Sequence, residues 1–319
     1  MAPPPMSYDR ATGRLKGASA VERCAALAFA AGAKVSAPMH HRGFSVGCRM
    51  ITSMIDQREI VALLNDDARF AFPFGDGYWS LLLDRGFVYE GEIERFLRSV
   101  ADVDYGFIDG GANFGFWSVL VSSRPFGSRP VIAIEASSDN AAKLARNAEL
   151  NGGRFKVLHR AIASSTGDQV WLSGSKHEAL RVGDTNGAES GESVETMALD
   201  SLLEQGLVSA QQRHIIKLDV EGMEVDAVKG ARQLLESETV IILEDHGADR
   251  AHTVSRYLLN RTSCRVFVYD PATQRYERMI DSSMLDRIKT STVFGYNIFA
   301  TNSPSWAERI RSIPPSTRH

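Results

Sequence analysis

The feature that most constrains the fold is the alternation of short apolar runs with longer amphipathic segments between residues 105 and 302. Short runs rich in Val, Ile and Phe are typical of buried strands, and strands that alternate with helices form a doubly wound, mostly parallel sheet. We therefore expect an α/β domain over residues 105–302, built on a seven-stranded sheet. The predicted strands are residues 105–109, 131–135, 155–159, 213–219, 239–244, 265–269 and 293–300. The predicted helices are residues 114–123, 138–151, 222–237 and 251–260.

The rest of the chain is expected to form three further parts. Residues 1–20 begin with MAPPP and are rich in Gly, Ser and Ala, which favours disorder. Residues 21–104 are expected to form an N-terminal cap of mixed, partly helical structure, and residues 303–319 a C-terminal tail. Within the cap, apolar patterning predicts helices at 59–64 and 90–100, and a strand or extended segment at 69–74. The apolar run at 24–33 is expected to be either a short packing helix or a poorly ordered segment.

Net charge, the length of the apolar runs and the cysteine spacing argue against a nucleic-acid-binding protein, a membrane-spanning N-terminal segment and a disulfide framework. The net charge of −3 provides no basic surface of the kind that marks a nucleic-acid-binding protein. The longest apolar run near the start, residues 24–33, is too short to span a bilayer. The three cysteines are far apart and form neither a metal-binding spacing nor a disulfide framework, which favours a reducing, cytoplasmic location.

The first strand ends in a glycine-rich turn, in the stretch YGFIDGGANFGFWSVL of residues 105–120. Ala112 stands where a dinucleotide-binding G-x-G-x-x-G fingerprint needs its middle glycine. Asp109 would repel a pyrophosphate but would attract an ammonium group, such as that of a methionyl moiety. We therefore predict that this turn binds S-adenosylmethionine. The turn residues predicted to contact it are Asp109, Gly110, Gly111, Ala112, Asn113 and Gly115.

A second acid ends the next strand, VIAIEAS at residues 131–137. Glu135 lies where an acid accepts hydrogen bonds from both ribose hydroxyls of an adenosine-containing cofactor. The alternative for this residue, as for Asp109, is a carboxylate that only caps a helix. Ala136 follows the ribose acid, and Arg160 and Ala161 are candidates to bracket the adenine.

The fourth strand delivers three acids within six residues, in the stretch IIKLDVEGMEV. In open α/β sheets the ligand binds outside the carboxyl ends of the strands. Asp219 should therefore face the reactive end of the cofactor, with Glu221 and Glu224 beside it.

The fifth strand ends in Glu244, and Asp245 and His246 come directly after it. Three interpretations of these residues stay open. His246 is a candidate general base, because its ordinary pKa suits that role. Asp219, Glu244 and Asp245 could instead bind a hard cation such as Mg²⁺. The third interpretation is that these residues only cap the following helix.

Three segments within residues 78–245 resemble FkbM-type S-adenosylmethionine-dependent methyltransferases: FIDGGANFGFWSVL, VIAIEAS with AAKLARNAELNG, and IIKLDVEGMEVDAVKGA. The resemblance implies the Rossmann-like fold of class I methyltransferases and O-methylation of sugars, polyketides or other secondary metabolites. It places the cofactor turn at residues 109–115, the ribose acid at Glu135, and active-site acids at Asp219 and Glu221. This sequence departs from the family at Ala136, where proline is frequent. In similar proteins the region of Tyr78, Trp79, Tyr89 and Glu90 covers the methionyl end of the cofactor.

We therefore expect an S-adenosylmethionine-dependent O-methyltransferase acting on a hydroxyl of a small-molecule or glycan acceptor. The alternatives are an NAD-dependent oxidoreductase and a catalytically silent binding protein with a methyltransferase fold. The polar, glycine-rich residues 174–192, which include His177 and Arg181, are expected to border the acceptor and to become ordered when it binds. Homo-oligomerisation is left open.

Overall fold

The computed structural model describes residues 4–173, 181–183, 191–220, 222–292 and 295–315. The β-strands are β1 (Met6–Asp9), β2 (Arg14–Lys16), β3 (Glu59–Asn65), β4 (Ala68–Pro73), β5 (Gly106–Gly110), β6 (Val131–Glu135), β7 (Phe155–His159), β8 (Ala161–Ile162), β9 (Gln169–Ser173), β10 (Arg181–Gly183), β11 (Glu192–Met197), β12 (His214–Leu218), β13 (Thr239–His246), β14 (Arg265–Asp270), β15 (Arg275–Met279) and β16 (Gly295–Thr301). The α-helices are α1 (Ala20–Ser36), α2 (Phe44–Thr52), α3 (Gly91–Ser99), α4 (Phe116–Val121), α5 (Ser138–Leu150), α6 (Ser201–Glu204), α7 (Glu224–Lys229), α8 (Arg232–Glu236), α9 (Thr253–Arg261), α10 (Met284–Ile288) and α11 (Pro304–Ser312). Short 3-10 helices lie at Ala37–Met39, Trp79–Leu83 and Arg124–Phe126.

The main sheet has the strand order β15-β14-β16-β13-β12-β5-β6-β7 within the described residues. Strands β7, β6, β5, β12 and β13 are parallel, and β16 is inserted antiparallel between β13 and β14. The connections run outward in opposite directions from the neighbouring strands β5 and β12, which creates a topological switch point at their carboxyl ends. The α/β fold class of class I methyltransferases is thus confirmed, and every predicted strand of the domain is present.

Two expectations for this domain need correction. The sheet has an eighth strand within the described residues, because β15 pairs antiparallel with β14 at the sheet edge. The single helix predicted over residues 222–237 is two helices, α7 and α8, separated at Gly230 and Ala231. Gly230 lies so close to the backbone that an added Cβ would be 2.4 Å from the carbonyl oxygen of Ala163.

Both faces of the sheet are buried, which explains why its strands are nearly continuous apolar runs. Successive residues along each strand point alternately into two hydrophobic cores, one on each face of the sheet. Phe107 packs with Val131 in the core on one face, whereas Ile108 packs with Ile132 in the core on the other.

The N-terminal part of the chain differs most from expectation. Composition predicted disorder over residues 1–20, but β1 pairs with β3 in a second sheet of order β2-β1-β3-β4, so the prediction is wrong there. Residues 59–64 were predicted to be helical but belong to β3. This strand is apolar on consecutive positions such as Ile60 and Val61, and such a short run does not distinguish a buried strand from a helix.

The other predicted segments of the N-terminal part agree better with the observed helices and strands. Helices α1 and α3 and strand β4 correspond to the predicted segments at 24–33, 90–100 and 69–74. The predicted C-terminal tail instead contains α11, which begins at the Ser303 cap and buries Trp306 and Ile310. No helix among the described residues is long and apolar enough to cross a membrane.

Two asparagines, Asn147 in α5 and Asn151 at its C-cap, join the N-terminal sheet to the main domain. The Asn147 side chain accepts a hydrogen bond from Ala71 N (2.6 Å) and donates to Ala71 O (3.0 Å). The Asn151 side chain does the same for Arg69, at 3.0 and 2.7 Å. Four helical residues rise about 6 Å and two strand residues about 6.6 Å, so the i, i+4 spacing on α5 matches the i, i+2 spacing on β4.

Candidate active site

A cavity opens at the carboxyl ends of β5, β6 and β12, at the switch point of the main sheet. The sheet side of the cavity is formed by the turn after β5, the end of β6, residues 160–162 and the end of β12. The cap side is formed by three aromatic residues before α3 and two from α4. The lining residues are Tyr78, Trp79, Tyr89, Asp109, Gly111, Ala112, Asn113, Phe116, Trp117, Ile134, Glu135, Ala136, Arg160, Ala161, Ile162, Leu172, Lys217, Asp219 and Val220.

The glycines of the turn after β5 are required by close backbone packing. Gly111 has φ +72°, and a Cβ there would lie 1.8 Å from the carbonyl oxygen of Asp219. Gly110 and Gly115 do not line the cavity, although they were predicted to contact the cofactor. A Cβ on them would lie 2.5 Å from Ile162 and 2.4 Å from Leu144, so these two glycines set the path of the turn.

Asn113 fixes the shape of the same turn. It has a left-handed backbone conformation with φ +51°. Its backbone N–H donates to Glu135 Oε2 (2.7 Å), and its side-chain Oδ1 accepts from Trp79 Nε1 (3.1 Å). Asn113 thus links the second acid to the cap.

Asp109 and Glu135 both line the cavity, as the sequence predicted. Asp109 accepts a hydrogen bond from Ser118 Oγ (2.6 Å), and Glu135 accepts from the backbone N–H groups of Asn113 and Ser137. Burial raises the pKa of both carboxyls, and their hydrogen bonds only partly counteract it. Each acid therefore contributes to local structure, as in the capping alternative, and also faces the cavity. Ala136, Arg160 and Ala161 border the cavity beside Glu135, together with the apolar side chains of Ile134, Ile162 and Leu172.

A buried lysine lies at the centre of the charged groups. Lys217 Nζ is 3.1 Å from Asp219 Oδ2 and 3.6 Å from Glu90 Oε2. Burial alone would lower the pKa of Lys217, but the carboxylates of Asp219, Glu90 and Asp109 outweigh it and raise this pKa above its ordinary value. The lysine is therefore a positive charge in the lining of the cavity.

Several groups hold the Glu90 carboxylate close to Lys217. It adopts a left-handed conformation with φ +42° before α3. Its carboxylate accepts from Trp117 Nε1 (2.6 Å) and from Asn297 Nδ2 (3.2 Å). Burial raises the pKa of Glu90, and Lys217 acts in the opposite direction. Sequence reasoning did not identify the Glu90–Lys217 pair. The available signal was a lysine inside the otherwise apolar strand IIKL.

Glu244 lies behind Asp219 and carries a proton at neutral pH. Burial and the neighbouring Asp219 raise the pKa of Glu244 to about 10. The two side chains share a hydrogen bond, which protonated Glu244 donates. Burial would raise the pKa of Asp219, but Lys217 and this hydrogen bond outweigh it and lower the pKa. Gly295 leaves room for the arrangement, because a Cβ there would lie 1.9 Å from Glu244 Cδ.

The magnesium site proposed for Asp219, Glu244 and Asp245 is not formed. Side chains alternate along β13, so Asp245 faces away from Glu244. It is fully buried and pairs with Lys289 Nζ at 2.5 Å, while Ser255 N donates to it at 3.1 Å. Among the described residues, no three His, Cys, Asp or Glu side chains are grouped so that they could hold a metal ion.

His246 does not meet Asp219 in the cavity. Its side chain is exposed, and Nδ1 accepts a hydrogen bond from Ala248 N (3.1 Å) in the turn after β13. The general-base interpretation therefore does not fit His246, which is exposed and bonds within the turn before α9 without capping a helix. Asp245 fits the capping interpretation instead, because it accepts a hydrogen bond from Ser255 N in the first turn of α9. Glu224 has a similar local role, since its Oε1 accepts from Gly222 N at 3.1 Å.

Some predicted residues lie outside the described part of the chain. These are Glu221, His177 and the side chain of Arg181. The same holds for most of residues 174–192, for which ordering on acceptor binding was expected.

The aromatic residues of the cap side line the cavity together with the turn after β5. Tyr78 and Tyr89 face one another with their hydroxyl oxygens 3.0 Å apart. Trp79 stacks on Phe116 with ring centroids 5.6 Å apart. This side of the cavity is therefore apolar, with two hydroxyl groups at its border.

Comparison with known proteins agrees with this site. Residues 109–266 match the family model described as the methyltransferase FkbM domain. The hexuronic acid methyltransferase AglP of Haloferax volcanii is 26% identical over 193 residues, which are 60% of this chain and 75% of AglP.

Solved structures with low similarity include two methyltransferases. The precorrin-6y C5,15-methyltransferase of Geobacter metallireducens has a TM-score of 0.38 at 13% identity, over 68% of this chain and 91% of that one. An O-methyltransferase of Bacillus cereus, in complex with SAH, has a TM-score of 0.37 at 14% identity, over 67% and 81%.

Proposed function

Because the chain carries a methyltransferase FkbM domain at residues 109–266, we propose that it methylates a hydroxyl group of a sugar or secondary metabolite, with S-adenosylmethionine as methyl donor. The observation that carries this proposal is the convergence of Asp109, Glu135 and Asp219 on one cavity at the switch point of the sheet.

The residues of the cavity fit the parts of S-adenosylmethionine. Glu135 ends β6, is held in place by two backbone N–H groups, and would accept hydrogen bonds from the ribose hydroxyls. The apolar border at Ala161, Ile162 and Leu172 would take the adenine. Asp109 has the charge to attract the α-ammonium group. The donor would thus be bound along the carboxyl ends of the strands, with its reactive end towards Asp219.

Bound S-adenosylmethionine supplies an electrophilic methyl group on a positively charged sulfur. Asp219 is ionised, because Lys217 and protonated Glu244 both favour its charged form. It would accept a hydrogen bond from the acceptor hydroxyl and align the oxygen for in-line attack. The new O–CH₃ bond forms as the S–CH₃ bond breaks, and the hydroxyl proton passes to Asp219. A weak base suffices, since the proton becomes acidic as the oxygen is alkylated. Glu221 stays a proposed second acid on the strength of the family motif.

Two observations support a sugar acceptor. AglP, by its name, methylates a hexuronic acid. The cap side of this cavity combines aromatic rings with the hydroxyls of Tyr78 and Tyr89, and binding sites for small molecules usually combine apolar walls with a few polar groups.

The test is methyl transfer from isotopically labelled S-adenosylmethionine to a panel of hexuronic acids and other hydroxyl compounds. We expect Asp219→Asn to lower kcat by roughly 10²–10⁴-fold while affinity for S-adenosylhomocysteine is retained. His246→Ala is the matched control and should stay active, because its side chain is exposed outside the cavity. Tight S-adenosylhomocysteine binding without turnover of any acceptor would favour the silent binding protein. Binding of NAD in place of S-adenosylhomocysteine would favour the oxidoreductase and overturn the proposal.

A further inference from the structure

The N-terminal segment from α1 to the residues just after α2 exposes several large apolar side chains, which we together call the outer face. Within the described residues, eight large apolar side chains are prominently exposed, and all except Ile280 lie between residues 21 and 54. Their exposed fractions range from 51% to 75%. The outer face consists of Val21, Leu27, Val35, Met39, Val46, Met50 and Met54.

Helix α1 has apolar side chains on its exposed side as well as on its buried side. The helix buries Ala25, Phe29 and Ala33, which are four residues apart. Its exposed side carries Val21, Leu27 and Val35 together with charged residues. Large apolar side chains that are exposed together are typical of an interaction surface, so the exposed side of α1 calls for a partner.

The exposed charged residues between residues 20 and 55 have one sign, whereas Asp56, the next charged residue along the chain, is an exposed acid. Between residues 20 and 55, Arg23, Lys34, Arg42 and Arg49 are all exposed, and none forms an ion pair with a described residue. The single acid in this stretch is Glu22, which is buried and pairs with Arg58 at 2.8 Å. The chain as a whole has a net charge of −3, so this positive region is local.

Cations and apolar side chains share one side of α1. Residues four and seven positions apart lie on the same side of a helix. Leu27 is four residues after Arg23 and seven before Lys34, so the two cations border the apolar stripe. On α2, Arg49 likewise lies next to Met50, and both are exposed.

We propose that the outer face binds the surface of an anionic lipid bilayer, with α1 and α2 lying in the plane of the headgroups. Apolar side chains flanked by Lys and Arg are the features of in-plane membrane helices. Pairing with a second copy is disfavoured, because a two-fold interface here would bring like charges together. The charge complementarity therefore selects an anionic partner that also takes up apolar side chains.

The helices that carry the outer face pack, through their inner sides, on the segment that leads to the cap side of the cavity. The Phe29 ring on the buried side of α1 packs on Phe74 with centroids 5.3 Å apart. A Cβ on Gly77 would lie 2.7 Å from the Ser45 side chain on α2. The segment that contains Phe74 and Gly77 leads directly to Tyr78 and Trp79. In the proposed membrane-bound state, α1 and α2 would therefore lie between the lipid surface and this segment.

The test is co-sedimentation of the full chain with phosphatidylcholine vesicles, with and without phosphatidylglycerol. We expect binding to the anionic vesicles that weakens as salt is raised. The variant Leu27→Gln/Val35→Gln/Met50→Gln should bind about tenfold more weakly or worse, and Arg23→Gln/Lys34→Gln should lose the preference for anionic lipid. Ile280→Gln is the matched control, because it removes an equally exposed apolar side chain elsewhere and should bind like the unaltered chain.

The outcomes that overturn the proposal are distinct. One is that the unaltered chain fails to bind anionic vesicles, and another is that the triple variant binds them undiminished. Concentration-dependent self-association abolished by the triple variant, without vesicle binding, would assign the outer face to a second copy. Circular dichroism and the Tm of each variant show whether it is folded. None of these readouts depends on methyl transfer, so they stand apart from the proposed function.

Discussion

Replacement of Glu244 by glutamine should stabilise the folded protein at neutral pH. Burial beside Asp219 raises the pKa of Glu244 to about 10 from an ordinary value of 4.5. At neutral pH the folded protein therefore holds a proton on Glu244 that the unfolded chain has lost. Glutamine keeps the shape and a hydrogen-bond donor of the protonated acid, and it has no proton to take up.

The size of the effect follows from this proton uptake. Neutral pH lies about 2.5 units above the ordinary pKa, and each unit corresponds to about 1.4 kcal/mol, so uptake at neutral pH costs at most about 3.5 kcal/mol of folding free energy. The cost is absent below the ordinary pKa of the carboxyl. It grows by up to about 1.4 kcal/mol per pH unit as the pH rises, and it levels off near the pKa of the folded state.

Urea denaturation of the unaltered chain and of Glu244→Gln, at acidic, neutral and mildly alkaline pH, measures this difference. We expect the two proteins to converge in acid, and the variant to become increasingly more stable as pH rises. Glu149→Gln is the control, since it changes an exposed carboxylate on α5 and should alter the free energy of unfolding by less than about 0.5 kcal/mol. A variant that is no more stable at neutral pH, with a difference independent of pH, would refute the assignment of a proton to Glu244.

Three further predictions concern the same region. Gly295→Ala should destabilise the protein by about 1–3 kcal/mol in urea denaturation, because the new Cβ would lie 1.9 Å from Glu244 Cδ, whereas Gly47→Ala in open space should be neutral or stabilising. Lys217→Met should lower the free energy of unfolding by about 3–5 kcal/mol in the same assay, because it leaves the buried carboxylates of Asp219 and Glu90 without their cation. A smaller loss would show that Lys217 does not form a buried ion pair with them. Glu135→Gln should weaken S-adenosylhomocysteine binding at least about tenfold by calorimetry, because a hydrogen bond to a charged acceptor contributes about 1.5–3 kcal/mol; unchanged affinity would remove Glu135 from the ribose site.

The sequence predicted the parts of the site that depend on strand ends. Asp109, Glu135 and Asp219 each close an apolar run, and parallel topology brings such ends to one edge of the sheet. The contact of Glu90 with Lys217 joins residues far apart in the chain, and no local pattern reports it. It depends on how the cap packs over the sheet.

The wrong predictions for the residues at the end of β13 have a clear physical cause. The apolar run suggested that the strand ends at Glu244, so the next two residues were treated as a loop in which all three side chains could converge. The strand continues to His246 because β16 pairs with it, with His246 opposite Gly295. In a strand neighbouring side chains point to opposite faces, which sends Asp245 to Lys289.

The hydrogen bonds that Asn147 and Asn151 form with the backbone of β4 have a consequence for any attempt to divide the chain near residue 104. Strand β4 is an edge strand, and Asn147 and Asn151 occupy the backbone groups through which a further strand would add. Removal of the N-terminal sheet would leave two asparagine side chains at the C-terminal end of α5 without these partners, one of them fully buried in the intact chain. The separated N-terminal piece would carry an open edge that can pair with other copies and aggregate. The N-terminal sheet and the main domain therefore each cover polar groups of the other. The smallest catalytic unit that folds without aggregating should include β4.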